Sequence, residues 1–284
     1  MKIGIVTDST ADLPEELVKE LGIEVVPLQV IIDDHQFRDG IDLNATEFYE
    51  KLATSSSHTP STSQPSPGVF KEIYQRLLEK VDTIVSIHIA SKLSGTVHTA
   101  QMVSKMFPNK RVQVVDSFST SMGLGSLVLE AVDALQRGMN LEQLLERLRF
   151  LRERINFLVV LDTLEYVFRG GRVSRLQHFL GSILNIKPLL RIVNGEVEIA
   201  GRARSKREAL ALMVEKFKAQ VGTEAKSWIS VMHTAAETEA LKLKTIIEET
   251  FKNAEVILNQ AGPALGTHAG PGALALIAIP KYPC

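Results

Sequence analysis

The chain has 284 residues, of which 45% are hydrophobic and 23% are charged, and its formal net charge at pH 7 is -1. This length allows two domains that each bury a core, and the composition is that of an ordinary soluble globular protein. The small net charge argues against nucleic-acid binding and against attraction to an anionic membrane surface. The longest uncharged apolar run, Ala273 to Ile279, is well short of the ~20 residues that span a bilayer, so we expect no membrane span.

Cysteine usage and the N-terminal sequence bear on the cellular compartment. The single cysteine, Cys284, excludes an internal disulfide bond and a cysteine metal site. Met1 and Lys2 lead directly into the strand-like sequence IGIVTD, which does not resemble a signal peptide. We therefore expect a cytoplasmic protein.

The beginning of the chain is predicted to alternate strands and helices. Ile3 to Val6 forms a short apolar strand, and Asp12 is predicted to be the N-cap of a helix that ends at Gly22. Val25 to Ile32 is predicted as a second strand, which continues into a small hairpin through His35 to Arg38. This order of strand, polar turn and helix is typical of an α/β domain.

A Ser/Thr/Pro-rich stretch follows, from Ala53 to Gly68. Its composition is typical of a mobile surface loop. However, Ser66 and Pro67 are suited to the N-cap and first position of a helix. The stretch is therefore either a surface loop or the approach to a helix N-terminus that faces a ligand.

The sequence SKLSGT, Ser91 to Thr96, lies between an apolar run and a helical pattern. Ile84 to Ile89 is predicted as a buried strand, and Val97 to Phe107 as a helix. In open α/β sheets, ligands bind beyond the carboxyl ends of strands, where helix N-terminal amides face them. The turn is therefore a candidate ligand site, although Ser94 could also serve only as a helix cap.

A third hydroxyl-rich turn occupies Asp116 to Gly125, after the predicted strand Val112 to Val115. Because the carboxyl ends of parallel strands meet at one edge of a sheet, turns that follow successive strands converge. The repetition favours a common site.

The second half has a different pattern, and we place the boundary near residues 150 to 156. Phe157 to Leu161 is predicted as a strand, and Leu189 to Ala200 as a hairpin with a type I′ turn at Asn194 and Gly195. Hairpins mixed with helices predict an α+β domain.

Two glycine-rich segments of the second half carry polar side chains. Arg169 and Arg172 flank Gly170 and Gly171. The segment from Gly262 to Gly272 encloses a single histidine, His268, directly before the apolar strand that closes the chain. A lone histidine is often structural, but glycines and prolines that fix an unusual backbone around it indicate a functional position equally well.

Several enzyme classes lack their sequence motifs. No G-x-x-x-x-G-K-[ST] phosphate loop is present, and Val128 stands where a dinucleotide fingerprint needs its third glycine. There is no G-x-S-x-G nucleophile elbow, and the histidines show no metal-ligand spacing. A triad of Ser94, His268 and either Asp8 or Asp116 stays open, since triads ignore sequence order.

The remaining groups are neutral hydroxyls, glycine-exposed amides and a histidine. Such groups suit a carboxylate that is held by hydrogen bonds and not by a salt bridge. They favour binding over catalysis.

Six motifs together resemble the DegV family. They are VTDSTADLP at the N-terminus, TSQPSPG at Thr62 to Gly68, SKLSGT, VVDS at Val114 to Ser117, GGR at Gly170 to Arg172, and HAGPG at His268 to Gly272. They occur in family order over nearly the whole chain. The resemblance agrees with a two-domain fold: an N-terminal three-layer α/β domain (residues 1–153) with a mainly parallel sheet, and a C-terminal α+β domain (residues 154–284).

For function, the resemblance implies a long-chain fatty acid, such as palmitate, bound in an apolar tunnel that the C-terminal domain contributes. Its carboxylate is expected at Thr62, Ser94 and His268, with Ser63, Gly95 and Thr96 in support. No metal or other cofactor is expected.

The resemblance also implies a partner, an ATP-binding fatty acid kinase subunit that converts the presented carboxylate into an acyl phosphate. This chain alone would then not be an enzyme. Arg169, Arg172 and Arg202 become candidates for contacting the phosphoryl group or the partner, because guanidinium binds phosphate bidentately. Two alternatives are kept: a stand-alone hydrolase or acyltransferase that uses Ser94 and His268, and a nucleotide-binding regulatory domain.

Overall fold

The computed structural model describes residues 1–54, 60–172, 186–224 and 227–280. Residues 55–59 of the Ser/Thr/Pro-rich stretch lie outside the described residues. In chain order the elements are β1 (Ile3–Asp8), a 3-10 helix (Ser9–Ala11), α1 (Glu15–Glu20), β2 (Glu24–Val26), β3 (Gln29–Ile32), β4 (His35–Arg38), α2 (Ala45–Thr54), β5 (Ser61–Ser63), α3 (Pro67–Leu78), β6 (Thr83–His88), α4 (Thr96–Ser104), a second 3-10 helix (Pro108–Lys110), β7 (Val112–Asp116), α5 (Ser121–Gln136), α6 (Leu141–Arg152), β8 (Asn156–Val160), α7 (Glu165–Arg169), β9 (Lys187–Val193), β10 (Glu196–Ala203), α8 (Lys206–Val221), β11 (Ser227–His233), α9 (Glu237–Thr250), β12 (Glu255–Gln260), α10 (Pro263–Ala269) and β13 (Leu274–Pro280).

The first sheet is parallel, with the strand order β2-β1-β6-β7. On one side, α3 and α4 pack through Phe70, Tyr74 and Val103. On the other side, α5 and α6 pack through residues such as Leu127 and Leu148. These layers confirm the predicted three-layer α/β arrangement.

The second sheet is mixed, with the strand order β10-β9-β8-β13-β11-β12. The pair β11 and β12 is parallel, and the other neighbours are antiparallel. Side chains alternate between the two faces of a strand, so Leu158 and Val160 of β8 pack against Met213 of α8. The intervening Phe157 and Val159 face the first half of the chain. The second sheet therefore has helices on one face and the N-terminal half on the other.

A small antiparallel sheet, β4-β3-β5, lies beside α2 and α10. Val30 of β3 pairs with Thr62 of β5, and Phe48 and Tyr49 of α2 share a core with Ala264 of α10. This sheet thus brings the TSQPS segment next to the helix that carries His268.

The helix α5 packs between the two larger sheets. Met122 lies in a core with β8, β11 and β13, whereas Leu127 belongs to the core of the first sheet. A side chain at Gly123 would overlap Ser119, and one at Gly125 would overlap the carbonyl of Ala11. These glycines therefore serve close packing. The predicted division at residue 153 falls between α6 and β8 and stays a prediction.

Two predicted elements differ from the structure. Val25 to Ile32 is not one strand, because Pro27 has no N–H to continue the ladder and the chain passes from the first sheet into the small one. Asp12 is not an N-cap. It closes the first 3-10 helix in the left-handed conformation (φ 50°), and α1 begins three residues later.

Other local predictions are confirmed. Ser66 caps α3 by accepting a hydrogen bond from the N–H of Val69, with Pro67 at the first position. Asn194 and Gly195 have the positive φ angles of a type I′ turn, 50° and 79°. Within the described ranges, no helix combines the length and the hydropathy needed to cross a bilayer.

Candidate functional site

A cavity lies between the inner face of the second sheet, the turns that follow β1, β6 and β7, and α10. The space available to the centre of a water molecule in it is about 160 Å³. Its apolar wall is formed by side chains from five strands of the second sheet: Phe157, Val159, Leu190, Ile192, Val197, Met232 and Ala275. Because one wall is apolar and polar groups lie on other walls, the cavity suits an amphipathic ligand.

One end of the cavity is polar and is formed around His268. The Oγ1 of Thr62 lies 2.8 Å from the Nε2 of His268. Burial, together with the nearby positive charge of Arg172, lowers the pKa of His268 to about 4. The imidazole is therefore neutral at pH 7.

The SKLSGT turn contributes Ser94 to the same cavity. Its Oγ lies 2.9 Å from the Oγ1 of Thr96 and accepts a hydrogen bond from the N–H of Thr96 at 3.3 Å. The residue before α4 makes no side-chain cap. Ser94 thus caps the helix weakly from outside, and it remains half-buried.

Gly95 joins the two hydroxyl motifs. A side chain at this position would overlap the amide of Gln64, which donates a hydrogen bond to the Oγ1 of Thr99 at 2.8 Å. Ser63, next to Gln64, is exposed at the edge of the cavity. The two motifs are therefore in contact, and Gly95 has a packing role.

Arg172 belongs to the second half of the chain, and its side chain contacts the SKLSGT turn of the first half. Its Nε donates to the carbonyl of Leu93 at 3.2 Å, and its Nη1 donates to the carbonyl of Gly170 at 2.5 Å. Burial lowers the pKa of its guanidinium. Arg172 lines the cavity with His268, so a positive charge stands at the polar end.

The other two arginines lie outside the cavity lining. Arg169 is exposed and forms an ion pair with Glu165 at 2.5 Å. Arg202 is exposed on β10, opposite Pro188. The three arginines therefore do not form one cluster.

Gly170 explains part of the GGR motif. A side chain at this position would overlap the imidazole of His268. The Nδ1 of His268 is buried and has no hydrogen-bond partner among the residues that the structure describes. The glycine therefore makes room for the ring.

Two buried carboxyl groups anchor α10. The N–H of Gly262 donates to Asp12 at 2.9 Å, and the N–H of Ala264 donates to Asp39 at 3.4 Å. Burial raises the pKa of Asp12 to about 7 and that of Asp39 to about 6. This role of Asp12 and Asp39 was not predicted from the sequence, and the segment that was expected to be irregular contains a helix. The N–H groups at the start of that helix provide the contacts.

A buried hydrogen-bond chain occupies the first sheet. The Oδ2 of Asp8 lies 2.9 Å from the Nδ1 of His88, whose Nε2 lies 2.7 Å from the Oγ of Ser86. Tyr74 continues the chain at 2.8 Å. Asp8 is therefore committed to His88 and is not a partner of His268.

The second candidate aspartate for a triad is also committed elsewhere. Asp116 accepts hydrogen bonds from the N–H groups of Ser91 and Phe118. Within the described part of the chain, neither aspartate forms a triad with Ser94 and His268. No group of three or more His, Cys, Asp or Glu side chains in those ranges is placed to hold a metal ion.

A second group of hydroxyls lines the cavity, from the turns after β1 and β7: Thr10, Thr120 and Ser121. Thr10 donates to Asp8 at 2.5 Å, and Ser121 donates to Asp12 at 2.7 Å. The third hydroxyl-rich turn thus reaches the cavity, as the repeated pattern predicted.

Comparison with known proteins places these features in a family. The model of the DegV family, whose members carry the description of uncharacterised proteins, matches residues 2–281. A DegV domain-containing protein of Caldanaerobacter subterraneus is 36% identical over 272 residues, which are 96% of each chain. A DegV family protein of Thermus thermophilus that binds fatty acid superposes with a TM-score of 0.93 at 37% identity, covering 99% of this chain and all of that one. DegV of Bacillus subtilis, a fatty acid-binding protein, superposes with a TM-score of 0.92 at 29% identity and covers the same shares.

Proposed function

The chain belongs to the DegV family, and on this premise we propose that it binds a long-chain fatty acid and presents the carboxylate to a separate ATP-binding kinase subunit. The observation that carries the proposal is the cavity itself, with an apolar wall from the second sheet and a polar end at Thr62, Ser94, His268 and Arg172. The fatty acid binding of the Thermus and Bacillus relatives supports it.

The apolar wall accounts for affinity. Burial of about fifteen tail carbons of a fatty acid such as palmitate contributes on the order of 12 kcal/mol, at ~0.8 kcal/mol each. This gross figure precedes the costs of immobilising the ligand. A few hydrogen bonds at the head group then suffice to set its orientation.

The hydroxyl groups of Thr62 and Ser94 can each donate a hydrogen bond to a carboxylate. Ser94 accepts a hydrogen bond from the N–H of Thr96, and if the hydroxyl of Thr96 is the donor in its 2.9 Å contact with Ser94, the proton of Ser94 is left for the ligand. If neutral His268 carries its proton on Nε2, it donates to Thr62, and the hydroxyl proton of Thr62 is likewise available. Two O–H donors then converge on one carboxylate.

Arg172 adds a charge to this head-group site. Its Nε and Nη1 are held by carbonyls of Leu93 and Gly170, so the guanidinium is fixed beside His268. The head-group site was expected to contain only neutral groups. We add the charged guanidinium of Arg172 to it, because a cation strengthens hydrogen bonds to a carboxylate.

The residues at the polar end of the cavity are partly exposed to solvent, which agrees with presentation of the carboxylate to a partner. Ser63 and Gln64 are exposed, and Thr62 and Ser94 are half-buried. A carboxylate held there would be near the surface, whereas the tail would be covered. The missing phosphate loop is then explained if the kinase subunit supplies ATP.

The proposal is tested by mass spectrometry of the purified chain under native and then denaturing conditions. We expect a long-chain fatty acid to copurify and to be released on denaturation, and the loaded chain to support acyl phosphate formation when a fatty acid kinase subunit and ATP are added. Steady hydrolysis of p-nitrophenyl palmitate by the chain alone would instead favour the hydrolase alternative, and ATP binding by the chain alone would favour the regulatory one.

A further inference from the structure

The hydroxyls of Thr10, Thr120 and Ser121 are a polar feature of the cavity that is separate from the proposed head-group residues. His233 and Thr234 also line the cavity, and each already accepts a backbone hydrogen bond, from the N–H of Ala236 and of Ala273 respectively. Thr10, Thr120 and Ser121 follow β1 and β7, whereas the proposed head-group hydroxyls lie on β5 and on the turn after β6. A plain alkyl chain offers nothing for these hydroxyls to bond.

Thr120 is the most informative member of this group. Only 7% of it is exposed, it lines the cavity, and its Oγ1 has no hydrogen-bond partner in the described ranges. It occupies the N-cap position of α5, where threonine usually caps, yet its side chain makes no cap. A buried hydroxyl without a partner costs free energy, so this oxygen is available to a ligand.

Thr10 and Ser121 are already committed as donors. Thr10 donates to Asp8, and Ser121 donates to Asp12. While they donate to these carboxyl groups, both hydroxyls can only accept further hydrogen bonds. Thr120 can both donate and accept. The group therefore offers one donor and several acceptors.

The donors and acceptors of these three side chains indicate which chemical group of a ligand could bind to them. An alcohol, which donates once and accepts, matches it. A second carboxylate accepts only, would find one donor, and would lie near the carboxyl groups of Asp8 and Asp12. The group is therefore complementary to a neutral hydroxyl and not to an anion.

We propose that the cavity contains a subsite for a hydroxyl on the acyl chain, formed by Thr120 with Thr10 and Ser121, so that the protein accepts monohydroxy fatty acids. This inference rests on the proposed function and specifies its ligand class.

The test is calorimetric titration with stearate, with a set of monohydroxystearates that differ in the position of the hydroxyl, and with an α,ω-dicarboxylic acid of equal length. The quantity compared is the ratio of each dissociation constant to that of stearate. In a wholly apolar tunnel, a buried hydroxyl weakens binding by about tenfold or more. We expect at least one positional isomer to bind about as tightly as stearate, and the dicarboxylic acid to bind more weakly than that isomer.

Thr120→Val is the deciding variant, because it removes the hydroxyl at nearly constant shape and removes no helix cap. We expect it to raise the ratio of the favoured isomer's dissociation constant to that of stearate about fivefold or more. Thr7→Val is the matched control. Thr7 is also buried, with an Oγ1 that has no hydrogen-bond partner among the described residues, but it does not line the cavity.

The outcomes separate the two proposals. Intact stearate binding with ratios that Thr120→Val leaves unchanged for every isomer would overturn the hydroxyl subsite alone. An equal change of the ratios in Thr7→Val would also overturn it, because the effect would then be one of folding. Failure of the wild-type protein to bind stearate or any isomer would contradict fatty acid binding itself.

Discussion

The Oγ1 of Thr62 lies 2.8 Å from the Nε2 of His268, although 206 positions of sequence separate the two residues. The contact forms because β5 pairs with β3 beside α10. It joins a residue of the N-terminal hydroxyl motif to one of the C-terminal HAGPG motif, and both line the cavity.

Loss of either head-group hydroxyl should weaken fatty acid binding. We expect Thr62→Val and Ser94→Ala each to reduce affinity by about 1 to 3 kcal/mol, because a carboxylate loses a donor in a largely desolvated site. Calorimetric titration with palmitate measures the loss. Ser104→Ala is the control, since the half-buried Ser104 lies at the C-terminal end of α4, outside the cavity lining, where its Oγ donates to the carbonyl of Gln101. Wild-type affinity in both hydroxyl variants would remove these residues from the head-group site.

Gly170→Ala should displace His268. The added methyl group would overlap the imidazole, so we expect a loss of stability of about 1 to 3 kcal/mol together with weaker palmitate binding. Chemical denaturation and calorimetry on the same preparation measure the two effects. Gly68→Ala is the matched control, because Gly68 lies in the first turn of α3, where a methyl group has room. Equal stability of Gly170→Ala and the wild type would show that the ring does not depend on this glycine.

The local structure was largely predictable from the sequence, whereas contacts between distant segments were not. The capping of α3 by Ser66 and the turn at Asn194 depend on residues within a few positions of each other, and both are confirmed. Pro27, which separates β2 from β3, was a readable signal that the strand prediction did not use. Asp12 was assigned a local cap because its partner, the N–H of Gly262, is 250 positions away.

The prediction of the site was also limited by contacts between residues that are distant in sequence. The motif residues Thr62, Ser94 and His268 were named from the sequence, and all three line one cavity. Their binding role stays a prediction. The sequence gives no sign that Arg172 lines this cavity while Arg169 does not, because that difference depends on the contact of Arg172 with the carbonyl of Leu93, 79 positions away.

Replacement of Asp12 should change how stability depends on pH. Burial raises the pKa of Asp12 to about 7 from its model-peptide value of 3.8, so between these values the folded state holds a proton that the unfolded chain has released. The wild type therefore loses stability as pH rises from about 4 to 7. Asp12→Asn cannot release this proton. We expect the free energy of unfolding of the variant, relative to wild type, to increase over that range by up to ~1.4 kcal/mol per pH unit.

The measurement is urea denaturation of both ligand-free proteins at several pH values. His268 contributes with the opposite sign, because its pKa is lowered to about 4 and stability from it is lost as pH falls below about 6.5. That contribution is common to both proteins and cancels in the difference. Asp42→Asn is the control, since the pKa of the exposed Asp42 is lowered to about 2 by Arg38. A difference between Asp12→Asn and wild type that does not vary with pH would refute the assignment.

The three arginines should separate into two classes. Arg169→Ala and Arg202→Ala should leave palmitate affinity within about 0.5 kcal/mol, as expected of exposed residues, and lower acyl phosphate formation with a kinase subunit and ATP. Arg172→Ala should reduce both, because Arg172 lines the cavity. Affinity and phosphorylation are measured on the same preparations.

A matched control for the exposed arginines is Arg137→Ala. Arg137 is exposed and pairs with Asp133 four positions earlier, as Arg169 pairs with Glu165. If Arg169→Ala and Arg202→Ala support acyl phosphate formation as well as Arg137→Ala does, neither arginine meets the partner.

The position of α5 has a consequence for folding. This helix shares one core with the first sheet and another with β8, β11 and β13, and its Glu130 accepts a hydrogen bond from the indole of Trp228 at 3.0 Å. If either half of the chain unfolded alone, α5 would lose one of its two cores and expose apolar surface to water. The two halves are therefore expected to melt together in a single cooperative transition, and a fragment that ends at residue 153 is expected to associate through the uncovered face of this helix.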